Sequence, residues 1–300
     1  MNLNKRISLV LLLFLFFLTS LGCASNPTAG FQDNDSTIGI LWEVKKPDSK
    51  PSFLFGTIHS EDERVTQLPK PVSKAFNSAK TFALEMILDK KTTREVLKKM
   101  YFSDGRTLQQ AVGNDLFKRS VDAMEKKGLP ANIVGLMKPW AVFTILNMPE
   151  QKTGLFLDAI LFEKAKEQKK KIIGLETQEE QTAVFDEMAL SSQKELLKNT
   201  LDNLADMNKL LDQVIDIYLT RDLEKVMALN NKYEKLIDEE VAKEFSKRLV
   251  TNRNQRMVDR MLPLLIDGDS FIAVGALHLP GDDGIIKLLQ KKGYEVSSVY

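Results

Sequence analysis

The sequence points to an α/β (α+β) fold: a mixed central β-sheet flanked by helices and interrupted by a large helical insertion. Three features carry this reading. Short β-branched and aromatic runs stand near the start, a long middle stretch spaces apolar residues at helical intervals, and the chain closes on "GDSFIAVGALHLPGDDGIIKLLQKKGYEVSSVY", which reads as strand, loop, helix and strand.

Taken in order, Lys5 and Arg6 precede "ISLVLLLFLFFLTSLG" and then Cys23. This apolar stretch of about 15 residues is shorter than the roughly 20 of a membrane-spanning helix, so residues 1–22 read as a cleaved secretory signal. Cys23 is the sole cysteine, which excludes an intrachain disulfide. Its place after Gly22 resembles a bacterial lipoprotein signal, with the lipid on Cys23. Ser20 and Leu21 hold the preceding positions in the reverse of the usual order, and the competing reading is an ordinary residue beside a standard cleavage site. Residues 23–37 form a polar tether. Ala24 in place of Asp suits the outer rather than the inner bacterial membrane.

The domain spans 38–300. "TIGILWEVKK" and "PSFLFGTIH" form two strands joined by the "PDSK" turn, and "KTFALEMIL" is a third strand after a helix over about 70–79. The helical insertion runs over about 93–262 around a strand near 171–176, "KIIGLE". Within it Leu196, Leu197, Leu201, Leu204, Leu211, Ile215 and Leu219 are spaced as one amphipathic face, which is core rather than a partner-docking surface.

With 42 Lys plus Arg against 41 Asp plus Glu in 300 residues, no strong basic field exists for nucleic acid. The chemistry lies elsewhere. Four apolar runs end, or nearly end, in a side chain able to bind metal: His59, Glu85, Glu176 and His278. If those strands are neighbours, all four emerge on one sheet edge, where open α/β sheets place their sites. His59 and His278 are the only histidines, and each stands three places after a glycine, Gly56 or Gly275, that allows positive φ or close backbone approach. Imidazoles with carboxylates suit a divalent ion, Mn or Co first and Zn or Fe next, and the lack of thiolates argues against a closed structural zinc site. For each residue taken alone, a hydrogen-bonded strand end is the simpler account. Arg253, in "NRNQRM", could orient a carboxylate or stabilise an oxyanion; the alternative is a solvated helix face.

These segments, "LWEVKKPDSKPSFLFGTIHSEDERVTQLP", "ALEM", "GLET", "NRNQRM" and "FIAVGALHLPGDDGIIKLLQKKGYEV", resemble the TraB/PrgY/GumN family, which includes the Tiki proteins. The resemblance covers about 38–300. It implies a sheet related to erythromycin-esterase-like and ChaN-like folds, with histidines and acidic residues in one cleft. Tiki proteins are metal-dependent proteases that trim the amino terminus of a secreted signal, whereas TraB and PrgY relatives act on or sequester peptide pheromones. By position, His59, His278, Glu85 and Arg253 match the family motifs; Glu176 is assigned from its strand end.

The expectation is therefore an exported lipoprotein that acts as a metal-dependent hydrolase on an extracytoplasmic peptide or small molecule. His59 and His278 would be metal ligands with a carboxylate from Glu85 or Glu176, whichever of Glu85 and Glu176 is not a ligand would be the general base, and Arg253 would stand at the oxyanion. No HExxH helix is present. The alternative is a binding lipoprotein that sequesters a peptide, haem or metal in the same cleft.

Overall fold

The computed structural model describes residues 38–47, 49–87, 90–148 and 153–300. The signal, Cys23 and the tether lie outside the described residues. Six strands form one sheet: β1 (Leu41–Lys45), β2 (Ser52–Thr57), β3 (Thr81–Leu84), β4 (Lys171–Gly174), β5 (Ser270–Gly275) and β6 (Glu295–Ser298). Their order is β4-β3-β5-β2-β1-β6. The first four are mutually parallel, while β1 runs antiparallel to both β2 and β6, so the sheet is mixed.

This order fulfils the condition set by the sequence. The strands preceding His59, Glu85, Glu176 and His278 are the four parallel neighbours, and their carboxyl ends share one edge. β5 sits between β3 and β2 with all six residues buried, as expected for a strand covered on both faces. Phe271 packs there against Phe55, Phe76 and Phe82, and meets Phe76 edge-on with centroids 5.3 Å apart. Each such ring contributes roughly 1.5–3 kcal/mol through burial. Four helices, Lys70–Ser78, Leu157–Glu167, Asn252–Asp267 and Ile285–Lys291, send apolar residues into this sheet core.

A second core lies within the helical insertion, around Trp140, Phe143, Phe185, Leu197 and Phe245. The leucine run does not form a single face. It breaks around Asn203 between the helices Leu190–Asp202 and Met207–Leu219. Leu196 and Leu197 are buried in the helical core and Leu201 and Leu204 pack against it, whereas Ile215 and Leu219 pack on the sheet core. Helical periodicity continued across the break because apolar spacing alone does not record a change of axis. Among the described residues no helix is long and apolar enough to cross a membrane.

Candidate functional site

Each parallel strand stops before its functional residue. Glu85 follows β3 directly; Glu176 and His59 lie two residues beyond β4 and β2, and His278 ends a 3-10 turn, Ala276–His278, after β5. Neither glycine preceding a histidine has positive φ: Gly275 has φ −54°, and Gly56 is not among the left-handed glycines. Close approach is the operative reason at Gly56. A Cβ there would stand 2.8 Å from Leu279 Cδ1 and 3.1 Å from Ala276 Cα, in the turn that carries His278.

Glu85 continues the sheet with its side chain. Past the last β3–β5 pair, its Oε1 accepts the Gly275 N–H at 2.7 Å, and its Oε2 accepts from Arg253 Nη2 at 2.5 Å. Glu176 is held from three directions. Its N–H donates to Glu85 O at 2.7 Å, while Thr177 begins the next helix with a capping box closed by Glu180. Its Oε2 accepts from Arg253 Nε and Nη2 at 2.8 and 2.6 Å, and its Oε1 from Arg256 Nη2 at 2.9 Å. The remaining Arg253 nitrogen, Nη1, donates to Leu249 O at 3.3 Å.

Arg253 is 1% exposed, so the solvated-face reading fails. Its helix is preceded by a π turn, Lys247–Thr251. The extra residue rotates the downstream helix by about 100° relative to an uninterrupted α-helix, and such turns recur at functional sites. Beyond the turn, Arg253 and Arg256 both reach Glu176.

His278 is 2% exposed. Its Nδ1 pairs with Asn254 Oδ1 at 2.6 Å, and Asn254 Nδ2 donates to Asp283 O at 2.8 Å. Since that amide presents an oxygen, Nδ1 carries the proton and Nε2 keeps its lone pair. Nε2 stands 3.8 Å from Glu85 Oε1.

His59 differs. It is buried against Phe156, with ring centroids 3.7 Å apart, and neither ring nitrogen has a hydrogen-bond partner. Asp158 stands beside it: Oδ2 lies 3.9 Å from Nδ1 and is likewise without a hydrogen bond, while Oδ1 accepts from Thr57 Oγ1 at 2.7 Å. Three buried polar atoms are thus orphaned together. Such atoms normally cost about 1–3 kcal/mol each unless something binds them.

Burial sets the electrostatics. It lowers His59 to about 3 and, aided by the Arg253 charge, holds His278 well below the usual imidazole value; both rings are neutral and can donate lone pairs. Burial raises Asp158 to about 6 and Glu85 to about 7, with Arg253 opposing the rise of Glu85 and the Glu176 and Asp158 charges adding to it. Glu176 goes the other way. Burial would raise it, but the Arg253 charge and the hydrogen bonds from Arg253 and Arg256 prevail and hold it below the ordinary carboxylate range.

The structure therefore gathers Glu85, Glu176, Arg253 and His278 into one network, with His59 paired to Asp158 at its border. Among the described residues no three His, Cys, Asp or Glu side chains close into a ready ligand cage. Sequence reasoning missed Asp158 and Asn254. The available signal for Asp158 was a lone carboxylate inside the apolar run from Phe156 to Phe162.

This sheet edge, with two Gly-x-x-His turns meeting buried glutamates and an arginine, defines an α/β protein with a histidine–carboxylate site. Its sequence matches the TraB/PrgY/gumN family over residues 40–298, and the chain belongs to that family. It is 26% identical to Metalloprotease TIKI2 of Xenopus tropicalis over 86% of this chain and 59% of that protein. A Metalloprotease TIKI homolog of Nematostella vectensis is 26% identical over 97% of this chain and 74% of its own length. Uncharacterized protein YbaP of Shigella flexneri is 23% identical over 83% of this chain and 91% of its own. The chain thus spans less than two thirds of the Xenopus relative. No solved structure gives a significant match.

Proposed function

We propose that this chain is a metal-dependent peptidase acting on an extracytoplasmic peptide, exported and held at a bacterial membrane, the outer one by preference, through lipid on Cys23. The carrying observation is the orphaned pair His59 and Asp158, three buried polar atoms without a hydrogen bond on the same sheet edge as His278, whose Nε2 stands 3.8 Å from Glu85. By its chemistry a set of imidazoles and carboxylate suits a divalent ion, with Mn or Co ahead of Zn or Fe, and these side chains would have to draw together to enclose one. His59, Asp158 and His278 would hold it; Glu85 and Glu176, each with both oxygens already hydrogen-bonded, serve instead as the base and as the anchor of Arg253. When bound, the ion supplies Lewis acidity and a water of lowered pKa.

The chain's own residues do the rest. Glu85, raised to about 7, is poised to take a proton at Oε1 near neutral pH. Arg253, with all three guanidinium nitrogens engaged, positions Glu85 rather than reaching a substrate oxyanion. Asn254 fixes the His278 tautomer so that Nε2 points its lone pair toward the site. Burial of the whole edge keeps bulk water from competing.

The similarity to Tiki metalloproteases supports this reading. Its test is a peptide-library digest by the form beginning at residue 24, with Mn, Co or Zn added, for wild type beside His59→Ala and His278→Ala. Metal-dependent cleavage lost in both variants is the expected result; full activity after metal removal would refute the mechanism. Metal or peptide bound without cleavage would replace it with a sequestering lipoprotein. Labelled palmitate entering wild type but not Cys23→Ser is the expected sign of the anchor.

A further inference from the structure

The helical core is hollow beside the site. A cavity of about 350 Å³ is floored by Phe143, Phe185, Leu196, Phe245 and Leu249, within the range of small-ligand sites. A smaller void adjoins it, the two sharing Leu210 and Tyr233 as walls. Two contacts join this space to the reacting edge. Leu249 on the cavity floor accepts from Arg253 Nη1 through its carbonyl, and Ile58 and Leu277, each directly before a site histidine, line the smaller void.

The polar part of the wall limits the occupant. Asn147 spends its Nδ2 on Phe143 O and Thr200 Oγ1, Asn199 on Leu236 O, and Asn203 on Asn199 O. Asn147 has only its Oδ1 left to offer, whereas Asn199 and Asn203 keep one N–H each besides Oδ1, and Lys209 and Lys232 add donors to the same wall. Donors and acceptors together above an apolar floor suit a chain that alternates both along its length and carries apolar side chains. A peptide backbone does so with its N–H and C=O groups; a fatty acyl chain has one carboxylate for the donors and nothing for the amide oxygens.

We infer that this cavity is the recognition subsite for apolar side chains of the peptide on which the histidine–carboxylate site acts, with the amide oxygens taking backbone N–H groups. The inference rests on the peptidase reading, and it narrows the substrate to peptides with an apolar segment beside the point of attack.

The test is equilibrium dialysis of the full chain in detergent with labelled Ac-Leu-Phe-Leu-NH2, Ac-Ser-Asp-Ser-NH2 and laurate. Wild type, His278→Ala, Gln213→Trp and Asn203→Trp are compared, the last two filling the cavity from half-buried wall positions. The apolar peptide should bind wild type and His278→Ala alike, and weaken roughly tenfold or more in both Trp variants, the scale of one buried apolar side chain. If one Trp variant fails to fold, the other carries the comparison. Equal binding of the two peptides, binding untouched by filling, or laurate bound in preference would each overturn the inference. Apolar peptide bound and lost on filling, with no cleavage in the library digest, would uphold the subsite and remove the peptidase reading alone.

Discussion

At the β4 end of the sheet edge, Glu176 has both oxygens on arginines and Arg253 has all three nitrogens bonded. At the β2 end, His59 has no hydrogen bond and Asp158 leaves one oxygen bare. His59, Glu176 and Arg253 are all buried, and Asp158, half-buried, still shields the oxygen it leaves bare, so the difference is not exposure. A buried charge network that is complete fixes geometry and has nothing left to give a ligand. A buried set that is incomplete carries an unfavourable energy that binding can remove. Glu85 and His278 follow the two strands between these ends, and both are held, Glu85 by Arg253 and the Gly275 N–H and His278 by Asn254.

Removing the keystone of the satisfied end should give the largest effect. Arg253→Met takes the shared guanidinium from two buried carboxylates, leaving Glu176 to Arg256 and Glu85 to the Gly275 N–H, and about 3–5 kcal/mol of unfolding free energy should disappear in a urea titration. If the loss stays under about 1 kcal/mol, the network is not the scaffold described.

Next in size is the response of the unsatisfied end to metal. Mn at about 100 times its Kd should stabilise wild type by about 2.7 kcal/mol. His59→Ala and Asp158→Asn should forfeit that gain in thermal unfolding, and chelator should erase it in wild type. An equal gain in the variants would place the ion elsewhere and dissolve the contrast.

The two ends are joined through the close contact of Gly56 with the His278 turn. Gly56→Ala forces a shift of Leu279 and Ala276 and should cost about 1–3 kcal/mol, seen as a lower denaturation midpoint. Wild-type stability in this variant would mean the turn moves freely.

The smallest effect concerns Glu180, which hydrogen bonds from Arg260 lower to about 2, below its unfolded value of about 4.3. A depressed carboxylate stabilises the fold above the unfolded value, and that contribution is lost as pH falls from about 4.3 toward 2. Because the pair is partly exposed, screening keeps this under about 1 kcal/mol. Glu180→Gln should flatten the acid limb of stability against pH by that amount, while an unchanged limb would assign the slope to other carboxylates.

The sequence already carried the parts whose signals are local. Strands at "LWEVK", "SFLFGT", "TFAL" and "SFIAVG" were legible because buried strands need continuous apolar, β-branched or aromatic runs. The two histidines stood out because they are the only ones and share a Gly-x-x-His context. Asp158 escaped because its partner Thr57 is 101 residues away, and nothing in a helical run says which side chain will meet a distant strand end.

What the sequence determined by itself, then, was the set of elements and the side chains waiting at their ends. Tertiary structure alone decided that Arg253 would satisfy Glu85, 168 residues distant, and Glu176, while His59 would be left with Asp158 and no hydrogen bond. The physical reason is range. Periodicity and capping act over a few residues, whereas the pairing of buried charges depends on strand order and on a π turn that rotates one helix, and both are settled only when the cores pack.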